Sequence, residues 1–124
     1  MSEVTVYHNP RCSKSRQTLA ILAQKGVAPT IVEYLTTPPD AETLKRILAM
    51  LHMRPRDLMR KKEDAYQQNN LADASLSDDD LIDAMIAYPI LIERPIVVKN
   101  GQAVLGRPPE NVEALLEHFD GQPG

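Results

Sequence analysis

The stretch PIVVKNGQAVL, Pro95 to Leu105, decides the fold because it contains the clearest hairpin signal in the chain. The pair Asn100-Gly101 separates two runs of strand-forming residues, Pro95–Val98 and Ala103–Leu105. An Asn-Gly pair favours the two-residue type I′ turn, because both residues tolerate a positive φ. The stretch therefore predicts two antiparallel strands late in the chain.

Upstream of the hairpin, the chain begins with the pattern of a strand, a helix and a second strand. Val4 to His8 is rich in strand formers and ends at an Asn-Pro turn. Ser13 to Lys25 carries apolar residues at helical spacing, and Gly26 follows where a helix would end. Thr30 to Tyr34 repeats the strand pattern, so the order β-α-β is predicted.

The segment between the second strand and the hairpin predicts helices. The stretch from Thr37 to Asp40 has a cap residue, early prolines and an acid, and it predicts a helix through about Leu51. Residues 53–76 are predicted to be short helices and loops. Ser77 to Asp80 has the pattern of a capping box for a helix to about Tyr88, which favours capping over a metal site for these aspartates. Glu110 to Phe119 is predicted to be the closing helix.

The complete order is β-α-β, a helical stretch, then β-β-α. It predicts an α/β protein with a thioredoxin-like mixed sheet and a helical insertion at about residues 40–88. A chain of 124 residues predicts one domain, here 1–119, with a loose tail at 120–124. In this fold Pro95 would follow a cis bond and face the cysteine of the first helix; a trans proline that opens an edge strand is the alternative.

Composition excludes several classes of function. A net charge of -3 gives no general attraction to nucleic acid or to an acidic membrane surface, and the apolar runs are too short for a membrane span. The N-terminus lacks the features of a signal peptide, so we expect a cytoplasmic protein. The single cysteine and three scattered histidines predict no internal disulfide, no metal site and no bound cofactor.

The stretch HNPRCSKSR, His8 to Arg16, contains that cysteine, Cys12, at the predicted start of the first helix. A helix N-terminus favours the thiolate, and basic neighbours add to this, which makes Cys12 a candidate nucleophile. A buried apolar cysteine is the alternative. A fall in thiol pKa from about 8.5 to about 6.5 yields only a roughly threefold net gain in reactivity, because nucleophilicity falls too. Larger gains must come from cations that hold an anionic electrophile.

Three arginines are candidates for that role: Arg60 in DLMRKK, Arg94 in IERPI and Arg107 in LGRPP. A planar guanidinium binds an oxyanion through paired hydrogen bonds, which a lysine does not reproduce. For each arginine a solvated surface position is the alternative. Their spacing does not establish that they converge on Cys12.

The motifs YHNPRCSKSR, YLTTPP, RKKEDAY, LIERPIVV and GRPPE span nearly the whole chain. Together they resemble the glutaredoxin-coupled arsenate reductase family of the ArsC type, most closely its HNPRCSKSR branch. The resemblance implies a thioredoxin-like fold in which Cys12 attacks arsenate. It also implies oxyanion binding by Arg60, Arg94 and Arg107, with His8 supporting the thiolate and Ser15 donating a hydrogen bond to it.

The family resemblance further implies glutathione as a co-substrate and glutaredoxin as the partner that resolves the mixed disulfide, and we expect a monomer. The single cysteine independently requires an external thiol for any disulfide cycle. Two alternatives stay open. Arg11 and Lys14 beside the cysteine depart from the usual family pattern and could favour another glutathione-linked substrate. A non-enzymatic regulator similar to the Spx proteins is the other alternative, although Ser15 replaces the second cysteine of their switch.

Overall fold

The computed structural model describes the backbone of residues 4–120 and the side chains of residues 4–116. It divides into two compact units. The sheet unit comprises the described residues of Met1–Glu33 and Arg94–Gly124, and the helical unit is Tyr34–Glu93. The single-domain boundary of 1–119 stays a prediction, and the predicted tail lies outside the described residues except for Asp120, which ends the last helix.

The elements follow the predicted order, with the helices of the insertion between the second and third strands. In chain order they are β1 Val4–Tyr7, α1 Ser13–Gln24, β2 Thr30–Val32, α2 Ala41–Leu51, the 3₁₀ helix Pro55–Leu58, α3 Asp64–Gln68, α4 Asp78–Ala87, the 3₁₀ helix Pro89–Leu91, β3 Ile96–Lys99, β4 Gln102–Leu105 and α5 Asn111–Asp120.

The sheet of the sheet unit has four strands in the order β2-β1-β3-β4. β1 pairs in parallel with β2 and antiparallel with β3, and β3 pairs antiparallel with β4. The turn between the last two strands places Asn100 at φ 50° and Gly101 at φ 76°, as a type I′ turn requires. This mixed sheet with flanking helices confirms the predicted thioredoxin-like fold.

The core of the sheet unit lies between the sheet and helices α1 and α5. Its fully buried side chains include Val6 of β1, Val97 of β3, Leu22 of α1 and Val112 of α5. Burial of each such side chain stabilises the fold by about 1.5–3 kcal/mol. The alternation of buried and half-buried residues along β1 follows from the period of two in a strand.

β2 ends two residues earlier than predicted. Its parallel partner β1 leaves the sheet at the Asn9-Pro10 turn, and the last bond between them is donated by the His8 backbone N–H to the Val32 carbonyl at 2.8 Å. Beyond that bond, β2 has no ladder partner to pair with on this side. Tyr34, predicted to end the strand, is instead the buried first residue of the helical unit.

The two main helices of the helical unit begin at side-chain caps. The cap pattern of residues 37–40 predicts an earlier start for α2 than the structure shows: the N-cap is Asp40, whose side chain accepts a hydrogen bond from the Thr43 N–H at 2.8 Å, and the helix begins at Ala41. At the start of α4, the Asp80 N–H donates to Ser77 Oγ at 3.1 Å, and the Ser77 N–H donates to Asp80 Oδ2 at 3.0 Å. The reciprocal bonds confirm the predicted capping box. Within residues 4–120, no helix is long and apolar enough to cross a bilayer.

Candidate active site

Cys12 is the N-cap residue of α1, with only 9% of its surface exposed. The preceding turn is fixed by Asn9, whose carbonyl accepts from the Cys12 N–H at 3.0 Å and whose Oδ1 accepts from the Arg11 N–H at 3.0 Å. Arg16 Nη1 donates to the Pro10 carbonyl at 2.8 Å. These bonds hold the thiol at the start of the helix. The sequence predicts a turn at Asn9 but not its hydrogen bonds to Arg11 and Cys12.

The surroundings of Cys12 favour its thiolate. Burial alone would raise the thiol pKa, but backbone N–H groups of Ser15 and Lys14 and the guanidinium of Arg94 outweigh it and lower the pKa from 9.0 to about 7. Hydrogen-bond donors stabilise the charged thiolate more than the neutral thiol, so these groups favour the ionised form. About half of the Cys12 side chains are therefore ionised at pH 7.

The pH dependence of Cys12 alkylation tests this electrostatic setting. Because the thiolate is the reactive form and its pKa is about 7, the rate of iodoacetamide alkylation should rise with pH and reach half of its plateau near pH 7. Mass spectrometry of the intact chain measures the rate, since Cys12 is the only cysteine. A midpoint at the ordinary value of a free thiol would contradict the result.

Arg94 is the charged residue that most directly supports Cys12. Its guanidinium stabilises the thiolate by hydrogen bonding and by charge. Two of its nitrogens, Nε and Nη1, are buried and form no hydrogen bond with any residue of the described chain. Buried donors in proteins are nearly always paired. A guanidinium with unused donors beside a thiolate is suited to receive an oxyanion.

Arg94 is placed by the start of β3. Its bond to Pro95 is cis, as predicted, and the Arg107–Pro108 bond is also cis. The Gly106 N–H donates to the Pro95 carbonyl at 2.9 Å, and a Cβ at Gly106 would lie only 2.5 Å from Thr18 Oγ1. The approach to Thr18 of α1 requires glycine at this position, and the bond to the Pro95 carbonyl brings the end of β4 against the start of β3.

Arg107 follows that glycine and contacts the backbone of Arg94. Its Nη1 donates to the Arg94 carbonyl at 3.3 Å, and its side chain is half-buried. The structure thus places Arg94 beside Cys12 and Arg107 against the backbone of Arg94. Convergence of Arg107 on Cys12 stays a prediction.

His8 lies at the end of β1 and is buried. Burial lowers the pKa of its imidazole, and Arg16 lowers it further, whereas the Glu33 carboxylate partly opposes the shift. Its Nδ1 is buried and forms no hydrogen bond among the described residues. His8 is therefore neutral at pH 7 and acts as an N–H donor or acceptor, not as a cation.

Ser15 is completely buried in the first turn of α1. Its backbone N–H is the strongest group that favours the Cys12 thiolate. Its hydroxyl Oγ accepts a hydrogen bond from the Asn9 N–H at 3.4 Å. The support that Ser15 gives to Cys12 thus comes from its backbone, and its side chain fixes the turn.

Arg60 belongs to the helical unit, where two carboxylates bind it. Nε donates to Glu63 Oε2 at 3.1 Å and Nη1 donates to Glu93 Oε1 at 2.7 Å. Sequence reasoning missed both acids, although each stands in a motif with an arginine, RKKE and ERPI. The convergence of Arg60 on Cys12 stays a prediction.

Comparison with known proteins assigns the family. A family model described as the ArsC family matches residues 7–115. The chain belongs to the ArsC family. The uncharacterized protein YfgD of Escherichia coli K12 is 59% identical over 115 residues, which are 92% of this chain and 97% of that protein. An arsenate reductase of Neisseria meningitidis serogroup A is 47% identical over 117 residues, covering 94% of this chain and 100% of the relative.

A solved structure agrees with this membership. The arsenate reductase from Vibrio cholerae has a TM-score of 0.88 and 54% sequence identity, and the match covers 90% of this chain and 96% of that chain. Membership of the ArsC family confirms the resemblance drawn from the motifs. The placement in the HNPRCSKSR branch stays a prediction.

The candidate site of this ArsC family member is composed of groups that suit an anionic substrate and not a metal ion. In residues 4–116, no group of three or more His, Cys, Asp or Glu side chains could hold a metal ion. The sheet unit instead combines a thiolate, a neutral imidazole and two guanidinium groups. This set suits nucleophilic attack by sulfur on an anionic electrophile.

Proposed function

We propose that this chain is an arsenate reductase in which the Cys12 thiolate attacks arsenate. The observation that carries the proposal is the pairing of Cys12, with a pKa of about 7, with Arg94, whose Nε and Nη1 bond no described residue. The thiolate supplies the nucleophile, and the guanidinium offsets the repulsion between two anions. Relatives named arsenate reductase, at 47% identity over the whole of their length, support the same substrate.

The proposed cycle begins when Cys12 Sγ forms a bond to arsenic and the bond from arsenic to one arsenate hydroxyl breaks; that hydroxyl takes a proton from solvent and leaves as water. The glutathione thiolate then attacks Sγ, and the pair of electrons in the S–As bond stays on arsenic. Arsenic passes from the +5 to the +3 state, and Cys12 and glutathione become a mixed disulfide. Glutaredoxin attacks the glutathione sulfur and releases the Cys12 thiolate.

The external thiols are part of the proposal because the chain has one cysteine. A second sulfur within the chain could close an internal disulfide, but Ser15 stands where a Cys-x-x-Cys pair would have it. Glutathione therefore enters as co-substrate and no bound cofactor is required. We further propose that Arg107 and Arg60 bind the oxyanion, that His8 supports the thiolate as a neutral hydrogen-bond donor, and that the chain works as a cytoplasmic monomer.

Omission of single components tests the proposed function. Arsenate-dependent oxidation of NADPH, coupled through glutathione reductase, should require the chain, glutathione and glutaredoxin together. Omission of either thiol component should reduce the rate to background, since each supplies a sulfur that the chain lacks. Arsenite should accumulate in a 1:1 ratio to the NADPH consumed.

Two other outcomes of the coupled assay would contradict the proposed function. Turnover of a glutathionylated peptide in the same coupled assay, without turnover of arsenate, would replace arsenate by a glutathione-linked substrate. Arsenate turnover that is unchanged without glutathione and glutaredoxin would contradict the thiol cycle.

A further inference from the structure

Arg60 lies in a cluster of three charged side chains, Arg60, Glu63 and Glu93, which we call the Arg60 clamp. All three are less than one-third exposed, at 22%, 28% and 24% respectively. The backbone around the clamp is also paired: the Arg60 N–H donates to the Leu91 carbonyl at 2.7 Å, and the Glu93 N–H donates to the Leu58 carbonyl at 2.8 Å. The Glu93 carboxylate is therefore held in place beside the guanidinium.

The two carboxylates of the Arg60 clamp bind different nitrogens of the guanidinium. A guanidinium offers two edges to a planar or tetrahedral oxyanion, one formed by Nε with one terminal nitrogen and one formed by both terminal nitrogens. Glu63 takes Nε and Glu93 takes Nη1. Nη2 belongs to both edges, so each edge already has its other nitrogen, Nε or Nη1, bound to a carboxylate. An incoming oxyanion can form the paired bonds only after a carboxylate leaves.

The net charge of the Arg60 clamp also disfavours the binding of an oxyanion. One guanidinium and two carboxylates sum to a net charge of -1, which repels an anion instead of attracting it. Burial disfavours the charged guanidinium, but the bonds and charges of Glu63 and Glu93 outweigh it and raise the pKa of Arg60 further. The cation is thus permanent, and among the described residues the two carboxylates are the side chains that occupy it.

We propose that Glu93 sets the oxyanion affinity of this chain, because an oxyanion that binds the edge formed by the two terminal nitrogens of Arg60 has to displace the Glu93 carboxylate from Nη1. This inference rests on the proposed function, in which Arg60 binds the oxyanion. Glu93 forms the shorter of the two bonds, at 2.7 Å against 3.1 Å, so its release is the larger step. Glu63 lies three residues after Arg60 and can keep its bond to Nε during the exchange.

The experiment measures the arsenate concentration that halves the rate of Cys12 alkylation by iodoacetamide. Glu93→Gln keeps the shape of the side chain but removes its charge, and it should lower the half-protecting concentration by about fivefold, the upper range for an ion pair of this exposure. The alkylation rate without arsenate should not change. Asp79→Asn is the matched control, because it removes an acid that pairs with Lys45 at 3.2 Å in the same unit.

Arg60 must be present for the effect. In an Arg60→Gln background, Glu93→Gln should no longer change the half-protecting concentration. A gain that persists without Arg60, or that Asp79→Asn reproduces, would overturn the inference in favour of a general effect of net charge. Should Glu93→Gln melt at a lower temperature than the parent, Glu93→Asp provides the second variant: it keeps the charge but shortens the side chain that reaches Nη1, and a smaller gain is expected.

The two hypotheses fail in different ways. Protection of the parent chain by arsenate with no change in Glu93→Gln overturns the inference and leaves the proposed function intact. Absence of protection in the parent chain overturns both. A lower KM for arsenate in Glu93→Gln at unchanged kcat would support the inference independently, because a merely structural role does not improve affinity.

Discussion

Cys12→Ser is expected to abolish arsenate reduction, with a loss of at least about a thousandfold in kcat/KM. A serine hydroxyl is not ionised at pH 7, so the groups that hold the Cys12 pKa at about 7 would have no thiolate to stabilise. A hydroxyl also forms no mixed disulfide with glutathione. The coupled NADPH assay at saturating arsenate measures the loss.

The fold of Cys12→Ser should be intact, since the two side chains are nearly isosteric and the turn bond is donated by the backbone N–H at position 12. Far-ultraviolet circular dichroism and the melting temperature provide that check. Ser13→Ala is a suitable control at the adjacent exposed position, and it should retain activity. An active Cys12→Ser variant would exclude covalent attack by this residue.

Arg94→Ala is expected to have the second-largest effect, because Arg94 supports the thiolate and, in the proposed function, also binds the oxyanion. Loss of its guanidinium should raise the Cys12 pKa above its value of about 7. The midpoint of alkylation then moves to higher pH and the thiolate fraction at pH 7 falls. Loss of an oxyanion donor typically costs about 100- to 1000-fold in rate, so kcat/KM for arsenate should fall by that order.

Two further variants separate the effect of the Arg94 charge from the effect of its paired hydrogen-bond donors. Arg94→Lys keeps a positive charge but not the paired donors, so it should restore part of the pKa shift and little of the activity. Arg46→Ala removes an exposed arginine of α2 whose described side-chain bond is to Thr43 Oγ1 at 3.4 Å, and it should leave both measurements unchanged. An alkylation midpoint that does not move in Arg94→Ala would contradict the role of Arg94.

Local sequence patterns predicted most of the fold. The Asn100-Gly101 turn and the capping box at Ser77 both involve residues within a few positions of one another. Such contacts are determined by nearby side chains and the backbone conformations they allow. β2 was predicted two residues too long because its length depends on where its partner β1 turns away, which its own residues do not encode.

The membership of the site stays a prediction from the motifs, and its contacts could not be predicted from them. The motifs named Cys12, Arg94 and Arg107, but they gave no sign that Nε and Nη1 of Arg94 are buried without a partner in the described chain. They also missed the bond from Arg60 to Glu93, which are 33 positions apart. Contacts at such separations arise from the packing of whole elements, which periodicity and propensity do not specify.

The unbonded nitrogens of Arg94 have a consequence for evolution as well as for binding. In the unfolded chain water satisfies both donors, so each donor that is buried with neither an anion nor a water as partner makes the folded state less stable by about 1–3 kcal/mol. The core between the sheet and helices α1 and α5 has to offset that cost. Substitutions at Arg94 that stabilise the fold should therefore be easy to find and should destroy the receptivity of the site to an anion. The stability of the fold and the proposed binding of an anion therefore favour different side chains at position 94.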